Sequence, residues 1–264
     1  MPTLRYEGLK FENAVSKPVV DGLATEEVLS ISINSKPFSV TMRTPGNEEA
    51  LIRGLLFTEG IVSNRNARMT FETLKKDSLD FISAMNVRVE ENDIEVDFTQ
   101  TRNLLSVASC GICGRTELEI GSDKKIVGEE KLSASIVQKM FAEMQGHQKD
   151  FSESGGTHAA AAFTLDGILL DVKEDIGRHN AVDKVIGQLL IERKLPEARV
   201  MIVSGRISYE IVSKTLAAGI PFLASVSAPS SLAVDFSKEC GLTLLAFCRD
   251  ENLTVYSNAE KLSA

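Results

Sequence analysis

The sequence predicts an α/β protein: a three-layer α/β/α unit over residues 128–264, preceded by a smaller α+β unit over residues 1–127. Three observations predict it. From Val200 onward, short apolar runs alternate with amphipathic ones at strand and helix lengths, the pattern of helices laid on a mostly parallel sheet. Asp166-Gly167 between two apolar runs is a strong hairpin signal. Before residue 128 the runs are short and alternating around a single amphipathic helix.

In chain order, residues 1–25 read as a loose arm with little periodicity. Glu27 to Asn34 alternates as a strand, Asn34-Ser35-Lys36-Pro37 reads as a turn, and Phe38 to Arg43 as the returning strand. Asn47 is placed to cap a helix whose first turn holds Glu48 and Glu49 and whose inner face holds Ala50, Leu51, Leu55 and Leu56. Gly60 ends it. Residues 61–100 read as a β-meander, with Glu91-Asn92-Asp93 turning between Val87–Glu90 and Ile94–Phe98.

Ser133 to Gly146 carries a helical stripe of Ile136, Val137, Met140, Phe141 and Met144. A polar, flexible stretch follows, from His147 to Gly156. Ala159–Leu165 and Ile168–Lys173 form the hairpin, and Asn180–Lys194 a helix. Then come strand Val200–Ser204, helix Ser208–Ala218, strand Phe222–Val226, helix Ser230–Cys240, strand Leu242–Cys248 and a last strand Leu253–Tyr256.

The chain has 264 residues, 43% hydrophobic and 25% charged, ordinary for a globular protein. No apolar run reaches a membrane span, and Met1 to Lys17 has no signal-peptide core, so the expected location is cytoplasmic. The net charge of −8 and the lack of a basic stripe argue against general nucleic-acid binding. A local anion site remains compatible with that charge. Four cysteines do not make a disulfide framework here.

Two of those cysteines lie in Ser109-Cys110-Gly111-Ile112-Cys113-Gly114-Arg115. A thiolate is the reactive form of cysteine, and a neighbouring Arg favours it. Alone, the pair suits half a zinc site, a dithiol redox pair, a sulfur carrier or two inert thiols. A structural zinc needs two more ligands. Cys240 and Cys248 sit in apolar surroundings, and no second Cys-x-x-Cys or closely spaced His pair exists. The His-x-Glu and Pro-Cys-x-x-Cys of zinc deaminases are also missing. A thioredoxin-like pair belongs at a helix start after a strand. A glycine after each cysteine instead suits an exposed loop that hands sulfur on.

Three junctions suit an anion. Ser204-Gly205-Arg206 follows a strand and opens a helix, offering free N–H groups and a charge; it also reads as a plain turn. Ser227-Ala228-Pro229-Ser230 reads as a helix cap. Glu174-Asp175-Ile176-Gly177-Arg178-His179-Asn180 is the richest in polar groups, though His179 or Asn180 serves equally as a cap and Asp175 as a partner of Arg178. Gly155-Gly156-Thr157-His158 is a further loop.

In this order, Thr58-Glu59-Gly60-Ile61, Ser109-Cys110-Gly111-Ile112-Cys113-Gly114, Gly155-Gly156-Thr157-His158-Ala159-Ala160, Glu174 to Lys184, Ser204-Gly205-Arg206 and Ser227-Ala228-Pro229 resemble the formate dehydrogenase accessory sulfurtransferase family, FdhD. The likeness runs from about Glu27 to the C-terminus. It implies a sulfurtransferase that takes sulfur from a cysteine desulfurase and passes it to the molybdenum of the bis(molybdopterin guanine dinucleotide) cofactor of formate dehydrogenase, which is cargo here. It implies a cytidine-deaminase-like second domain without zinc, and a homodimer that binds guanine nucleotide ends. Carried over residue by residue, it makes Cys110 the persulfide carrier, with Cys113 accepting sulfur or resolving the persulfide. The cargo site would comprise Gly156, Thr157, His158, Gly177, Arg178, His179, Asn180, Ser204, Gly205 and Arg206. A segment near the C-terminus, Phe247, Cys248, Arg249, Asp250, Glu251 and Asn252, matches a further contact region. A non-catalytic cofactor-binding chaperone is the alternative reading.

Overall fold

Two sheets share one tight pair of helices. The structure, a computed structural model, describes residues 3–98 and 124–263. The first sheet pairs β3 (Glu27–Ile33) with β4 (Lys36–Arg43) and β5 (Met69–Lys76) with β6 (Ile82–Val89), joined through a parallel β3–β6 contact. The β3–β4 turn places Asn34 and Ser35 at φ 49° and 67°, the primed geometry that matches strand twist. Leu29, Ile31 and Ile33 of β3 pack with Leu51, Ile52 and Leu56 of helix α1 (Glu48–Thr58).

Three expectations for this half change. The meander is a single hairpin: Glu91–Asp93 is a 3₁₀ turn, and the Glu95 N–H donates to the Ile61 carbonyl (2.9 Å) instead of joining a ladder. Phe98 packs edge-on against Phe38, with ring centroids 5.8 Å apart, so apolar packing holds this stretch without strand pairing. Asn47 sits in the left-handed region at φ 60° and makes no side-chain cap. The Glu48 carboxylate braces the turn before the helix, accepting from the Gly46 N–H (2.8 Å) and the buried Arg43 guanidinium (3.0 Å).

Residues 1–25 are also not loose. β1 (Thr3–Glu12) and β2 (Val15–Ala24) form a two-stranded ribbon in continuous antiparallel register. Its Asn13-Ala14 turn puts both residues at positive φ. An alanine in that role gives no turn signal, and strands with no continuously buried face show no apolar alternation.

The second sheet runs β13-β12-β11-β10-β8-β9. Its strands are β8 (His158–Phe163), β9 (Leu169–Asp175), β10 (Val200–Val203), β11 (Phe222–Ser225), β12 (Thr243–Arg249) and β13 (Asn252–Val255). β10, β11 and β12 are parallel; the others are antiparallel to their neighbours. Side chains alternate between two cores. Met201 and Val203 meet helices α4 (Arg178–Ile191), α5 (Tyr209–Ala218) and α6 (Ser231–Cys240) on one face. Val200 and Ile202 meet helix α2 (Ala134–His147) on the other. The stretch after α2 contains a short helix, α3 (Lys149–Ser154), where a flexible segment was expected. Short strands β7 (Leu132–Ser133) and β14 (Leu262–Ser263) pair beside α2. The chain is thus a mixed α/β protein.

α1 of the first sheet packs on α4 of the second. A Cβ on Gly54 would stand 2.7 Å from the carbonyl carbon of Asp183, and one on Gly187 would stand 2.7 Å from the amide nitrogen of Gly54. Only glycine permits so close an approach. Beside it, the Lys214 ammonium donates to Asp183 (2.9 Å), Glu59 (2.9 Å) and Thr58 Oγ1 (2.9 Å). Burial works against that charge, but Asp183 and Glu59 outweigh it and hold the lysine above its ordinary pKa.

Candidate functional site

The polar junctions come together because of strand order. β8 is antiparallel to β10, so the start of β8 lies beside the end of β10; His158 pairs with Asp175, and the Ser204 N–H donates to the Ala159 carbonyl (2.9 Å). Ser225 Oγ donates to the Gly205 carbonyl (2.6 Å). Further along, the Phe247 N–H donates to Ser227 O (3.2 Å) and the Arg249 Nε–H to Val226 O (2.7 Å). All five segments therefore line one edge of the sheet, at the carboxyl ends of β9, β10, β11 and β12, where open α/β sheets bind ligands.

Three helices of ten residues or more, α4, α5 and α6, begin at this edge. Ser230 caps α6 by accepting from the Ala233 N–H (3.2 Å). The cap positions of α4 and α5, Gly177 and Ser208, make no side-chain cap bond. The Ser208 hydroxyl instead faces His179 Nε2 at 3.3 Å. Their first-turn N–H groups and dipole ends favour an anion.

Gly205 is the tight point. A Cβ there would lie 3.2 Å from His158 Nδ1 and 3.4 Å from Arg178 Cδ. Arg178 Nε is buried without a hydrogen-bond partner among the described residues, a donor that suits an oxyanion. Arg206 is exposed beside it. Burial, then Arg178, Arg206 and His179, push the half-buried His158 below its ordinary pKa, with Asp175 opposing, so it is neutral at pH 7. Glu210, in the first turn of α5, stands 3.8 Å from His179 Nε2. The hydrogen bond from His179 leads in drawing its carboxyl down to about 2, against a smaller burial effect. Sequence reasoning missed Glu210, whose only signal was its place just after Ser208.

Several residues of these segments also hold the local structure. Asn180 Nδ2 donates to Met42 O (2.9 Å) and Asp175 Oδ1 (3.0 Å). Asp175, fully buried, pairs with Lys184 (2.7 Å) rather than Arg178, and accepts from the Gly177 (2.8 Å) and Thr44 (3.2 Å) N–H groups. Thr157 Oγ1 donates to Glu174 (2.8 Å), whose carboxylate also takes the Asp150 and Phe151 N–H groups at the start of α3. The Gly156 N–H donates to Ser154 Oγ (3.1 Å), and Ser204 Oγ accepts from the Ala159 N–H (2.9 Å).

The segment from Phe247 to Asn252 divides in two. A bulge in β12 puts Phe247 at φ 53° and turns its ring outward, leaving Arg249, Asp250, Glu251 and Asn252 exposed. Cys248 turns inward. It is 1% exposed, and burial pushes its thiol up to about 12, so its side chain is part of the core. Cys240 is likewise buried, as its apolar setting predicts. Cys110 and Cys113 lie outside the described residues. Among the described residues, no helix is long and apolar enough to cross a membrane.

The FdhD/NarQ family model matches residues 24–263. The chain is 39% identical over 266 residues to the sulfur carrier protein FdhD of Mycolicibacterium paratuberculosis, covering 98% of this chain and 97% of that protein. It is 36% identical to the sulfur carrier protein FdhD of Sulfurisphaera tokodaii, covering 99% of this chain and all of the other. A crystal structure of a protein from Desulfotalea psychrophila, described as a formate dehydrogenase accessory protein, shares the fold over both full chains with a TM-score of 0.79 at 22% identity. With the family model matching residues 24–263 and the likeness to its members running nearly end to end, the chain belongs to the FdhD/NarQ family.

Proposed function

We propose that this protein is a sulfur carrier for formate dehydrogenase, with Cys110 as the carrying atom. The observation that carries the reading is the near full-length likeness to sulfur carrier proteins. In the first step the Cys110 thiolate attacks the outer sulfur of a cysteine desulfurase persulfide. The donor S–S bond breaks, its electron pair leaves with the donor cysteine as thiolate, and a new S–S bond forms on Cys110. In the second step the outer sulfur passes to the molybdenum of the bis(molybdopterin guanine dinucleotide) cargo. One route is direct: the S–S bond breaks, the Cys110 thiolate leaves, and the two electrons that take the sulfur to the sulfide level come from reduced molybdenum in the cargo. In the other, the Cys113 thiolate attacks the inner sulfur, a Cys110–Cys113 disulfide forms, hydrosulfide leaves, and a cellular dithiol reduces the disulfide afterwards.

The cargo is polyanionic, and the edge holding Arg178, Arg206 and the start of α4 supports its binding there. The same reading includes a homodimer in the cytoplasm, a cytidine-deaminase-like second domain over 128–264 and a smaller first domain over 1–127. The test is activation of formate dehydrogenase by Cys110→Ala and Cys113→Ala, with mass spectrometry after incubation with desulfurase and cysteine. Loss of activation with Cys110→Ala, and one added sulfur on the wild-type Cys110 peptide, are expected. Normal activation by Cys110→Ala overturns the carrier role and favours a cofactor chaperone.

A further inference from the structure

The β1–β2 ribbon is covered only at its foot. There, Thr3 Oγ1 donates to Glu153 (2.7 Å), a Cβ on Gly22 would stand 3.2 Å from the Glu153 carbonyl oxygen, and Gly156 lies against Ala24. Beyond Gly22 the ribbon extends seven residue pairs, roughly 23 Å. Directly paired residues share a face, and the pairing joins Glu7 to Val20, Leu9 to Pro18 and Phe11 to Ser16. That face is the outward continuation of the one covered by α3. It leaves Phe11 68%, Leu9 58% and Val20 54% exposed. The opposite face also exposes Val15 (69%) and Tyr6 (53%), but sets them among charges: Tyr6 pairs across the ribbon with Asp21, and Lys10 and Lys17 both pair with Glu12 (2.7 Å each).

An isolated two-stranded ribbon is marginal in water. Its apolar face needs a cover that is always present, which a transient donor or acceptor of sulfur does not supply. Charge narrows the choice further. Residues 3–24 hold three basic and three acidic side chains, whereas the chain carries −8. Two copies of an acidic protein repel over most of their surfaces but not over these neutral arms. The family match begins at residue 24, at the foot of the arm, so the arm lies outside what the family model describes.

We propose that the Leu9–Phe11–Pro18–Val20 face of the arm is buried against the same face of a second copy, an isologous contact about a two-fold axis. This rests on the reading of the protein as a homodimer and names its surface.

The test is sedimentation velocity of the full chain and of the Leu9→Asp/Phe11→Asp double variant across a concentration series, with circular dichroism to check folding. A photo-crosslinking residue at position 11 is the second measurement, made on mixed copies carrying two different tags. The expected result is a dimeric wild type, a folded variant whose dimer dissociation constant rises roughly 100-fold or more, and crosslinks from position 11 to the other copy's arm. A monomeric wild type at micromolar concentration overturns the homodimer reading and this inference with it. A dimeric wild type with an equally dimeric variant, or crosslinks from position 11 only to other regions or other proteins, overturns the arm contact alone.

Discussion

Gly187 of α4 faces the backbone of Ala50 on α1 so closely that a Cβ built on it would stand 2.7 Å from the Ala50 carbonyl carbon. Two backbones meet there without a side chain between them, and the two sheets of the molecule are joined through that contact. Gly187→Ala is therefore expected to destabilise the fold by about 2 kcal/mol or more, although alanine is the better helix former by about 1 kcal/mol. Thermal unfolding of the variant checks this. An unchanged or raised melting temperature would show that the helices separate without cost.

His158 is held neutral by burial and by Arg178, Arg206 and His179. The unfolded chain takes up a proton on this residue near pH 6.5, and the folded chain resists it. Its contribution is thus a stability lost as pH falls through about 6.5. The His158→Gln variant is expected to lose less stability than wild type between pH 7 and pH 5. Glu210 behaves differently: its carboxyl is drawn down to about 2, so its contribution is present above its ordinary 4.5 and fades as pH falls towards 2. Melting curves across the two windows separate the residues.

Arg178 brings to the sheet edge a buried Nε that has no hydrogen-bond partner among the described residues, and Arg206 an exposed guanidinium. For GDP, a probe of the guanine nucleotide end, Arg178→Ala is expected to weaken binding by roughly 10-fold or more, with Arg206→Ala weaker in effect because its charge is solvent-screened. Titration calorimetry at two salt concentrations is the measurement. Wild-type affinity in Arg178→Ala would remove this edge as the phosphate site.

The second half was legible because its elements bury two alternating faces or one clear stripe. Met201 and Val203 against Val200 and Ile202 print a buried strand, and Val182, Val185, Ile186 and Leu189 print the inner face of α4. The Asp166-Gly167 hairpin follows from turn chemistry alone. What stayed hidden depends on contacts far along the chain. Nothing near Asn180 in sequence shows that its amide reaches back to Met42 O. Nothing in the Gly155–His158 loop shows that the Thr157 hydroxyl donates to Glu174, 17 residues later. The β1–β2 ribbon gave no pattern because no continuous face of it is buried within the chain. Of the motifs, Thr58, Glu59 and Asp183 serve the joint around Lys214, and Asp175 and Lys184 bind Thr44 at the end of the first sheet, so these residues stitch the two sheets together.

That stitching also imposes an order on synthesis. The Thr44 N–H is held by Asp175, 131 residues later, and the Thr44 carbonyl by Lys184, 140 residues later. At a translation rate of about 5–20 residues per second, the end of β4 waits roughly 7 to 30 s for its partners. Through that interval the glycine-bearing side of α1 has no α4 to meet. The nascent first half is a long-lived, unfinished surface, and the emergence of α4 from the ribosome is the event that closes it.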